Sequence, residues 1–217
     1  DCRRQRQMCI RDRRSFELLL EFDLLKYLFP AAAKSIAQDK AVKRMLLIAM
    51  QNTDERIHND MRVTPAFLLA ALLWHPVDSG VHELTEKGMP YSVAIQKVAT
   101  VVLSKQASSV SIPRRFTSTM RDIWGLQTRF HYRAGKRAMS VLEHAKFRAG
   151  YDFLCIRAQA GEGENTETLK NDCQWWTDLQ KQTAEQQRNT LFIQSKRKPG
   201  RKRARKKPGK KKTETSG

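Results

Sequence analysis

Long apolar runs are missing from this sequence, and so is any recognisable secretory signal. No stretch of about 18 consecutive apolar residues occurs, so the sequence predicts no membrane-spanning helix. Only four cysteines are present, which is too few to indicate the disulfide framework of a small secreted domain. These absences lead us to expect a cytoplasmic protein with no membrane partner.

The four cysteines also lack the spacing that metal sites require. Cys2, Cys9, Cys155 and Cys173 show no C-x-x-C pair and have no histidine at a zinc-like interval. We therefore expect ordinary reduced thiols, with Cys155 buried in a helix, and no metal site.

Catalytic signatures are missing as well. The chain has no Gly-rich phosphate loop, no G-x-S-x-G motif, and no Gly-Ser pair followed by paired aspartates on an alternating strand. The acids Glu17, Glu21 and Asp23 fall mostly on the outer side of a predicted helix, where solvated carboxylates are common. We accordingly assign no catalytic residue and no bound cofactor to this chain.

An initiating methionine is absent too, because the first residue is Asp1. We expect the sequence either to begin inside something longer or to have been mis-assembled. Residues 1–14 follow neither a strand nor a helix period and include six arginines. They are interpreted as a junction of doubtful origin, either a short basic arm for RNA or a scar of cloning or assembly.

What the chain has in excess is positive charge. The formal net charge is +19, and the segment Lys196–Lys212 alone contains twelve Lys or Arg and no acid. A segment of this composition cannot bury enough apolar surface to offset its chain entropy, so we expect residues 196–217 to be disordered when free. A solubility or nuclear-targeting segment is the alternative interpretation of this basic tail.

Helical periodicity dominates between residues 15 and 195, and no segment alternates as a strand would. Ser15 is predicted to cap a helix whose apolar positions are Phe16, Leu19, Leu20 and Leu24. Further helices are predicted from Asp39 with a fade-out over 52–60, from Pro65 to Pro76, from Pro90 to Leu103, from Pro113 to Gln127, from Gly135, over Phe147–Ala160 and over Thr166–Phe192. Residues 77–89 are predicted to be a polar connection, and 161–165 a turn. The predicted fold class is all-α, a helical bundle followed by a disordered basic tail.

The stretch Ile112–Arg148 concentrates positive charge in a segment that can fold. It holds nine Lys or Arg against the two acids Asp122 and Glu143. Such a surplus is typical of a surface that binds phosphates. The residues predicted to bind RNA are Arg114, Arg115, Arg121, Arg129, Arg133, Lys136, Arg137, Lys146 and Arg148, together with Lys196, Arg197, Lys198, Arg201, Lys202, Arg203, Arg205, Lys206 and Lys207 of the tail.

Aromatic residues lie between these cations. Trp124, Phe130, His131 and Tyr132 favour single-stranded RNA as the ligand, because bases stack on rings while phosphates meet guanidinium groups. The alternative is that the arginines merely solvate an exposed helix face.

Several segments together resemble the C-terminal half of the bacterial poly(A) polymerase family. They are FELLLEFDLLKYLFP at 16–30, NTDERIHNDMRVTPAFLLAALLWHPV at 52–77, IPRRFTSTMRDIWGLQTRF at 112–130, GKRAMSVLEHAKFRAGYDFLCIRA at 135–158, and the adjacent tryptophans Trp175 and Trp176 before a basic tail. Their order and spacing match as well, over about residues 15–212. The related CCA-adding enzymes share the FELLLEFDLLKYLFP type of segment but not the Arg-rich helices and tail.

The resemblance implies a template-independent enzyme that adds AMP from ATP to RNA 3′ ends and so marks transcripts for degradation. It also implies that an N-terminal head, absent here, holds two Mg²⁺ ions and does the chemistry. In the terms of this family, residues 15–110 are the helical neck and body region, and 111–195 the Arg-rich RNA-binding region. The implied partners are single-stranded RNA 3′ ends and RNA-degradation or RNA-chaperone proteins.

A different class of function stays open. The chain is alternatively a stand-alone helical adaptor without polymerase parentage, which binds RNA or docks a protein. The docking surface would be Trp175, Trp176 and the polar helix near them, since tryptophans are common interface anchors. Core packing is the more ordinary role of such residues.

Overall fold

The structure is a computed structural model that describes residues 12–61, 63–161 and 166–196. Within these ranges the regular structure is entirely helical, which confirms the all-α prediction. The helices are α1 Asp12–Glu21, α2 Leu25–Leu28, α3 Pro30–Gln38, α4 Lys40–His58, α5 Pro65–Leu72, α6 Trp74–Glu86, α7 Tyr91–Gln106, α8 Arg114–Gln127, α9 Gly135–Leu142, α10 Phe147–Ala160, α11 Thr166–Gln180 and α12 Ala184–Lys196. None of the helices in the described ranges is long and apolar enough to cross a membrane.

The first predicted helix begins earlier and ends sooner than its apolar pattern suggested. Ser15 does not cap α1, because the helix already begins at Asp12. The helix ends at Glu21, and the chain then turns at Asp23, whose φ of 55° is in the left-handed region that aspartate tolerates better than most residues. Leu24 therefore lies outside the helix and is exposed.

The predicted polar connection at 77–89 is wrong, because α6 continues through Glu86. Val77 and Val81, four residues apart, are fully buried and form its apolar face. Gly80 allows close packing rather than marking a loop, since a Cβ there would lie 2.8 Å from Cγ1 of Val98 on α7. Pro76 does not end a helix but lies in the first turn of α6, where proline is tolerated.

Helix boundaries elsewhere follow local capping chemistry. Asp39 precedes α4, as predicted, and its Oδ1 accepts a hydrogen bond from the backbone N–H of Ala41 at 2.7 Å. The helix does not fade at residue 52 but continues to His58. Helix α3, which the pattern did not predict, begins with Pro30 in its first turn.

The segment predicted as one helix from Thr166 to Phe192 is two helices, α11 and α12. Between them, the N–H of Thr183 donates to Oε1 of Gln186 at 3.0 Å, and the N–H of Gln186 lies 3.4 Å from Oγ1 of Thr183. This reciprocal arrangement is a capping box, which begins a new helix. The T-x-x-Q spacing in the sequence carries that signal.

Two hydrophobic clusters form the interior. The first surrounds the buried rings of Trp74 and Phe153, whose centroids are 5.5 Å apart in an edge-to-face contact. The second surrounds Phe130 and Trp176, with centroids 5.6 Å apart. Helix α10 supplies buried residues to both clusters, so it joins the two halves of the interior.

The expectation of reduced cysteines is wrong for one pair. Cys155 on α10 and Cys173 on α11 form a disulfide with a Cα–Cα distance of 5.2 Å. Packing of α10 against α11 brings together two residues that are 18 positions apart in the sequence. No short cysteine motif predicts a pair at this separation. Cys155 is half-buried rather than buried, while Cys2 and Cys9 lie outside the described residues.

Candidate nucleic-acid interface

The N-terminus of α8 presents two exposed arginines. Arg114 and Arg115 occupy its first turn, which contains no acid. The guanidinium of Arg115 lies 4.8 Å from the ring centroid of Phe116, at cation–π distance. Pro113 precedes this turn as the N-cap residue rather than as the first helical residue. Both cations therefore face solvent at a helix end that also attracts anions.

Two half-buried arginines are held in place by hydroxyl groups. Nη1 of Arg121 donates to Oγ1 of Thr100 on α7 at 3.1 Å. Nη2 of Arg129 donates to Oγ of Ser140 on α9 at 2.8 Å. A hydroxyl orients a guanidinium without neutralising it, so both positive charges remain available to a phosphate.

Helix α9 adds cations beside two rings. Lys136 and Arg137 are exposed in its first turn, where α9 has neither an acid nor a side-chain cap. The guanidinium of Arg137 lies 4.9 Å from the ring centroid of Tyr132, and the exposed ring of His131 lies 3.9 Å from that of Tyr132. This arrangement places positive charge and accessible ring surface together.

Two of the sequence-predicted cations have carboxylate partners instead. Arg133 pairs with Asp172 at 2.6 Å, and Arg148 pairs with Asp152 at 3.0 Å. Nη1 of Arg56 on α4 also lies 2.7 Å from Oδ2 of Asp152 and forms a second ion pair with it. Burial raises the pKa of the Asp152 carboxyl above its ordinary value, and Arg148 and Arg56 offset only part of that effect. These carboxylates neutralise much of the charge that Arg133 and Arg148 would offer a ligand.

Two of the four rings predicted to stack on bases are in the core. Trp124 is fully buried and donates its indole N–H to the carbonyl oxygen of Ala70 at 3.1 Å, while Phe130 is 1 % exposed. They lie on the apolar faces of their segments, and their burial leaves His131 and Tyr132 as the accessible rings. Proximity in sequence to arginines did not distinguish the two pairs.

Lys146 is half-buried at the start of α10, and Lys196 is the last residue of α12. The remaining predicted tail residues, Arg197, Lys198, Arg201, Lys202, Arg203, Arg205, Lys206 and Lys207, lie outside the described residues.

A concavity of about 550 Å³ lies between α9 and α12. Lys136, Ser140, His144 and Phe192 contribute to its lining. Sequence reasoning missed the last three residues, because only the packing of α12 on α9 brings Phe192 opposite Ser140 and His144.

The described residues offer no obvious metal centre. No group of three or more His, Cys, Asp or Glu side chains is arranged to hold a metal ion in this part of the chain. The half-buried carboxylate of Asp152 on α10 and the buried carboxylate of Asp172 on α11 are each bound by arginine. The described residues therefore do not form the two-metal site that the resemblance implies for a catalytic head.

Comparison with known proteins gives consistent matches. Residues 87–212 match the family described as Polymerase A arginine-rich C-terminus. The chain is 39% identical over 180 residues to Poly(A) polymerase I of Escherichia coli, covering 82% of this chain and 38% of that protein. It is 38% identical over 180 residues to Poly(A) polymerase I of Salmonella typhi, with the same coverage of 82% and 38%. It is 34% identical over 206 residues to Poly(A) polymerase I of Haemophilus influenzae, covering 94% of this chain and 45% of that protein. The chain thus spans less than half the length of these curated relatives.

Proposed function

The chain belongs to the poly(A) polymerase family, and we propose that it is the part of such an enzyme that binds single-stranded RNA. The chemistry, addition of AMP from ATP to RNA 3′ ends, would lie in a part of the enzyme outside these residues. ATP and Mg²⁺ would be cofactors of that part. We further propose that the protein works in the cytoplasm, alongside RNA-degradation or RNA-chaperone proteins.

The observation that carries the proposal is the set of cations oriented by neutral groups. Arg121 and Arg129 are anchored by hydroxyls, and Arg137 lies over a tyrosine ring. In the described part of the chain none of these three has a carboxylate within salt-bridge distance. Guanidinium groups that are ordered but not neutralised suit phosphate binding, because binding then costs little side-chain entropy and displaces no internal ion pair.

The adaptor alternative receives less support. Trp176 is fully buried and donates its indole N–H to the carbonyl oxygen of Phe130 at 2.8 Å. Trp175 is half-buried, with its ring edge-to-face on Trp176 at 4.8 Å. Trp176 therefore acts as a core residue and would not be available as an interface anchor.

A titration of single-stranded RNA against the whole chain tests the proposal. Replacing Arg114, Arg115, Arg121 and Arg137 with alanine should weaken binding at moderate ionic strength by at least tenfold. It should also reduce the log–log salt slope by roughly 0.7 for each phosphate that the variant no longer binds. The matched control replaces the exposed cations Lys34, Lys40, Lys43 and Arg44 of α3 and α4, which removes the same charge elsewhere.

Equal effects of the two quadruple variants would show that net charge alone drives binding and would refute a defined interface. Unchanged affinity in the first variant would refute the proposal outright. Incubation with ATP, Mg²⁺ and an RNA primer should give no lengthened products, and a ladder of extended RNA would overturn the assignment of the chemistry to another part of the enzyme.

A further inference from the structure

We propose that the concavity between α9 and α12 holds one nucleotide of the bound RNA, with its base against Phe192. This inference rests on the proposed RNA-binding function and adds a specific subsite to it. The concavity has a volume of about 550 Å³, inside the range of about 300–1,000 Å³ typical of small-ligand sites. Its lining combines apolar, polar and charged groups. They are the ring of Phe192, the thioether of Met139, the hydroxyl of Ser140, the imidazole of His144, the ammonium of Lys136 and the carboxylate of Glu143.

One face of α9 supplies most of this lining. Lys136, Ser140 and Glu143 recur at helical spacing, so their side chains project from the same side of the helix. Phe192 approaches from α12, where 41% of its surface is exposed. A large exposed ring opposite a polar helix face is a suitable stacking platform, because every base has a π face.

Hydrogen-bonding groups for the edge of a base lie at the end of α9. Nδ1 of His144 accepts a hydrogen bond from the backbone N–H of Lys146 at 3.1 Å. In the neutral ring this leaves the proton on Nε2, which is then a donor. The exposed carboxylate of neighbouring Glu143 is an acceptor. Each nucleobase carries a donor next to an acceptor on its Watson–Crick edge, so this pair suits any base and predicts little base preference.

The charge around the concavity suits the phosphate of the same nucleotide. Lys136 lines it, and Arg129 donates to Oγ of Ser140, which also lines it. Among the described residues, Lys136 in the lining and Arg129 on Ser140 outnumber the carboxylate of Glu143, so the site favours an anionic ligand over a neutral or cationic one.

The position of α12 also connects the subsite to the basic tail. Phe192 lies four residues before Lys196, where the run of twelve cations begins. At about 1.5 Å of rise per helical residue, the two positions are about 6 Å apart along α12. An RNA strand held at Phe192 would therefore lie near the C-terminal end of α12.

Abasic RNA separates base stacking from backbone attraction. We compare binding of the whole chain to an oligo(A) and to a sugar–phosphate chain of equal length without bases. The wild-type chain should prefer oligo(A), and Phe192→Ala should weaken oligo(A) binding roughly tenfold while leaving abasic binding and the salt slope unchanged. Phe192→Leu keeps much of the side-chain volume but has no π face, so it should show the same loss even if truncation to alanine disturbs α12.

Phe22, which is 63% exposed on the turn after α1, provides the matched control. Phe22→Ala should bind both ligands like the wild type. A Phe192→Leu variant that keeps the full preference for oligo(A), or that loses affinity for both ligands equally, would overturn the base subsite. If the wild-type chain still binds RNA, either of these results refutes only the base subsite and not the proposed RNA-binding function. A wild-type chain that binds neither ligand would refute the RNA-binding function itself.

Discussion

The guanidinium of Arg133 donates two hydrogen bonds to Oδ1 of Asp172, from Nε at 2.9 Å and from Nη2 at 2.6 Å. Asp172 is 6% exposed, so its carboxylate is largely shielded from water and is paired with this guanidinium. The pair joins the segment before α9 to α11, on which the buried Trp176 also lies. Arg133 was predicted from its neighbours to bind RNA, yet its guanidinium is already engaged in holding the fold.

The first prediction follows from this pair. Arg133→Ala should lower the free energy of unfolding by roughly 2–3 kcal/mol, somewhat less than a fully buried pair would lose, because Arg133 is about a third exposed. Chemical denaturation measures this change. Arg137→Ala is the matched control, since its exposed side chain lies over Tyr132 and should affect RNA affinity with little change in stability. Arg133→Ala with unchanged stability and lost RNA binding would place Arg133 at the interface instead.

The second prediction concerns the disulfide between Cys155 and Cys173. Replacing both residues with serine should lower the free energy of unfolding by about 3 kcal/mol, because the bridge closes a loop of 18 residues and restricts the unfolded chain. Urea unfolding with and without a reductant measures the same contribution. The serine variant should be insensitive to the reductant.

Cys2 and Cys9 supply the control for this experiment. Their replacement with serine should leave the effect of the reductant unchanged. Peptide mass mapping of the untreated chain should find Cys155 linked to Cys173, and a reductant-insensitive wild-type chain would contradict the structural role of this bridge.

The sequence predicts a helix well when the residues that define the helix and its ends are unambiguous in the local pattern. Helix α10 occupies Phe147–Ala160 as predicted, because its apolar pattern is dense and Gly161, at a φ of 69°, ends it locally. Helix α6 was missed although Trp74, Val77, Val81 and Leu84 recur at helical spacing, because Pro76 and Gly80 resemble loop signals. That Gly80 serves close packing becomes clear only from its contact with Val98 on α7.

The candidate site shows the same division. The excess of cations is readable from composition, but which of them are neutralised is not. Arg133 meets a carboxylate 39 residues away, and Arg56 meets one 96 residues away. The subsite at Phe192 likewise depends on α12 packing against α9. Long-range contacts thus decide which charges and rings a ligand can reach, and a single sequence does not contain them in a local pattern.

The third prediction compares two helical glycines. A Cβ at Gly125 on α8 would meet nothing within 4 Å, so Gly125→Ala should raise the free energy of unfolding by roughly 0.5–1 kcal/mol through helix propensity. A Cβ at Gly150 on α10 would lie 2.7 Å from Cδ1 and 3.1 Å from Cβ of Leu126. The same substitution there should lose that gain and destabilise the chain by roughly 1 kcal/mol, because Leu126 must shift. Thermal and urea unfolding of the two variants give the difference, and equal stabilisation would contradict the close contact of α8 with α10.

The fourth prediction concerns the basic tail. If about half of the twelve cations in Lys196–Lys212 bind phosphates, a chain that ends at Ser195 should have a log–log salt slope for single-stranded RNA that is smaller by about 4, at about 0.7 per phosphate. A chain that ends at Lys212 is the matched control, because it lacks only five residues and keeps all twelve cations. Fluorescence anisotropy over a range of salt concentrations measures both slopes. Equal slopes would assign the tail to solubility or targeting, whereas a reduced slope with retained base-dependent binding would show that the tail adds charge attraction to a site built by α8, α9 and α12.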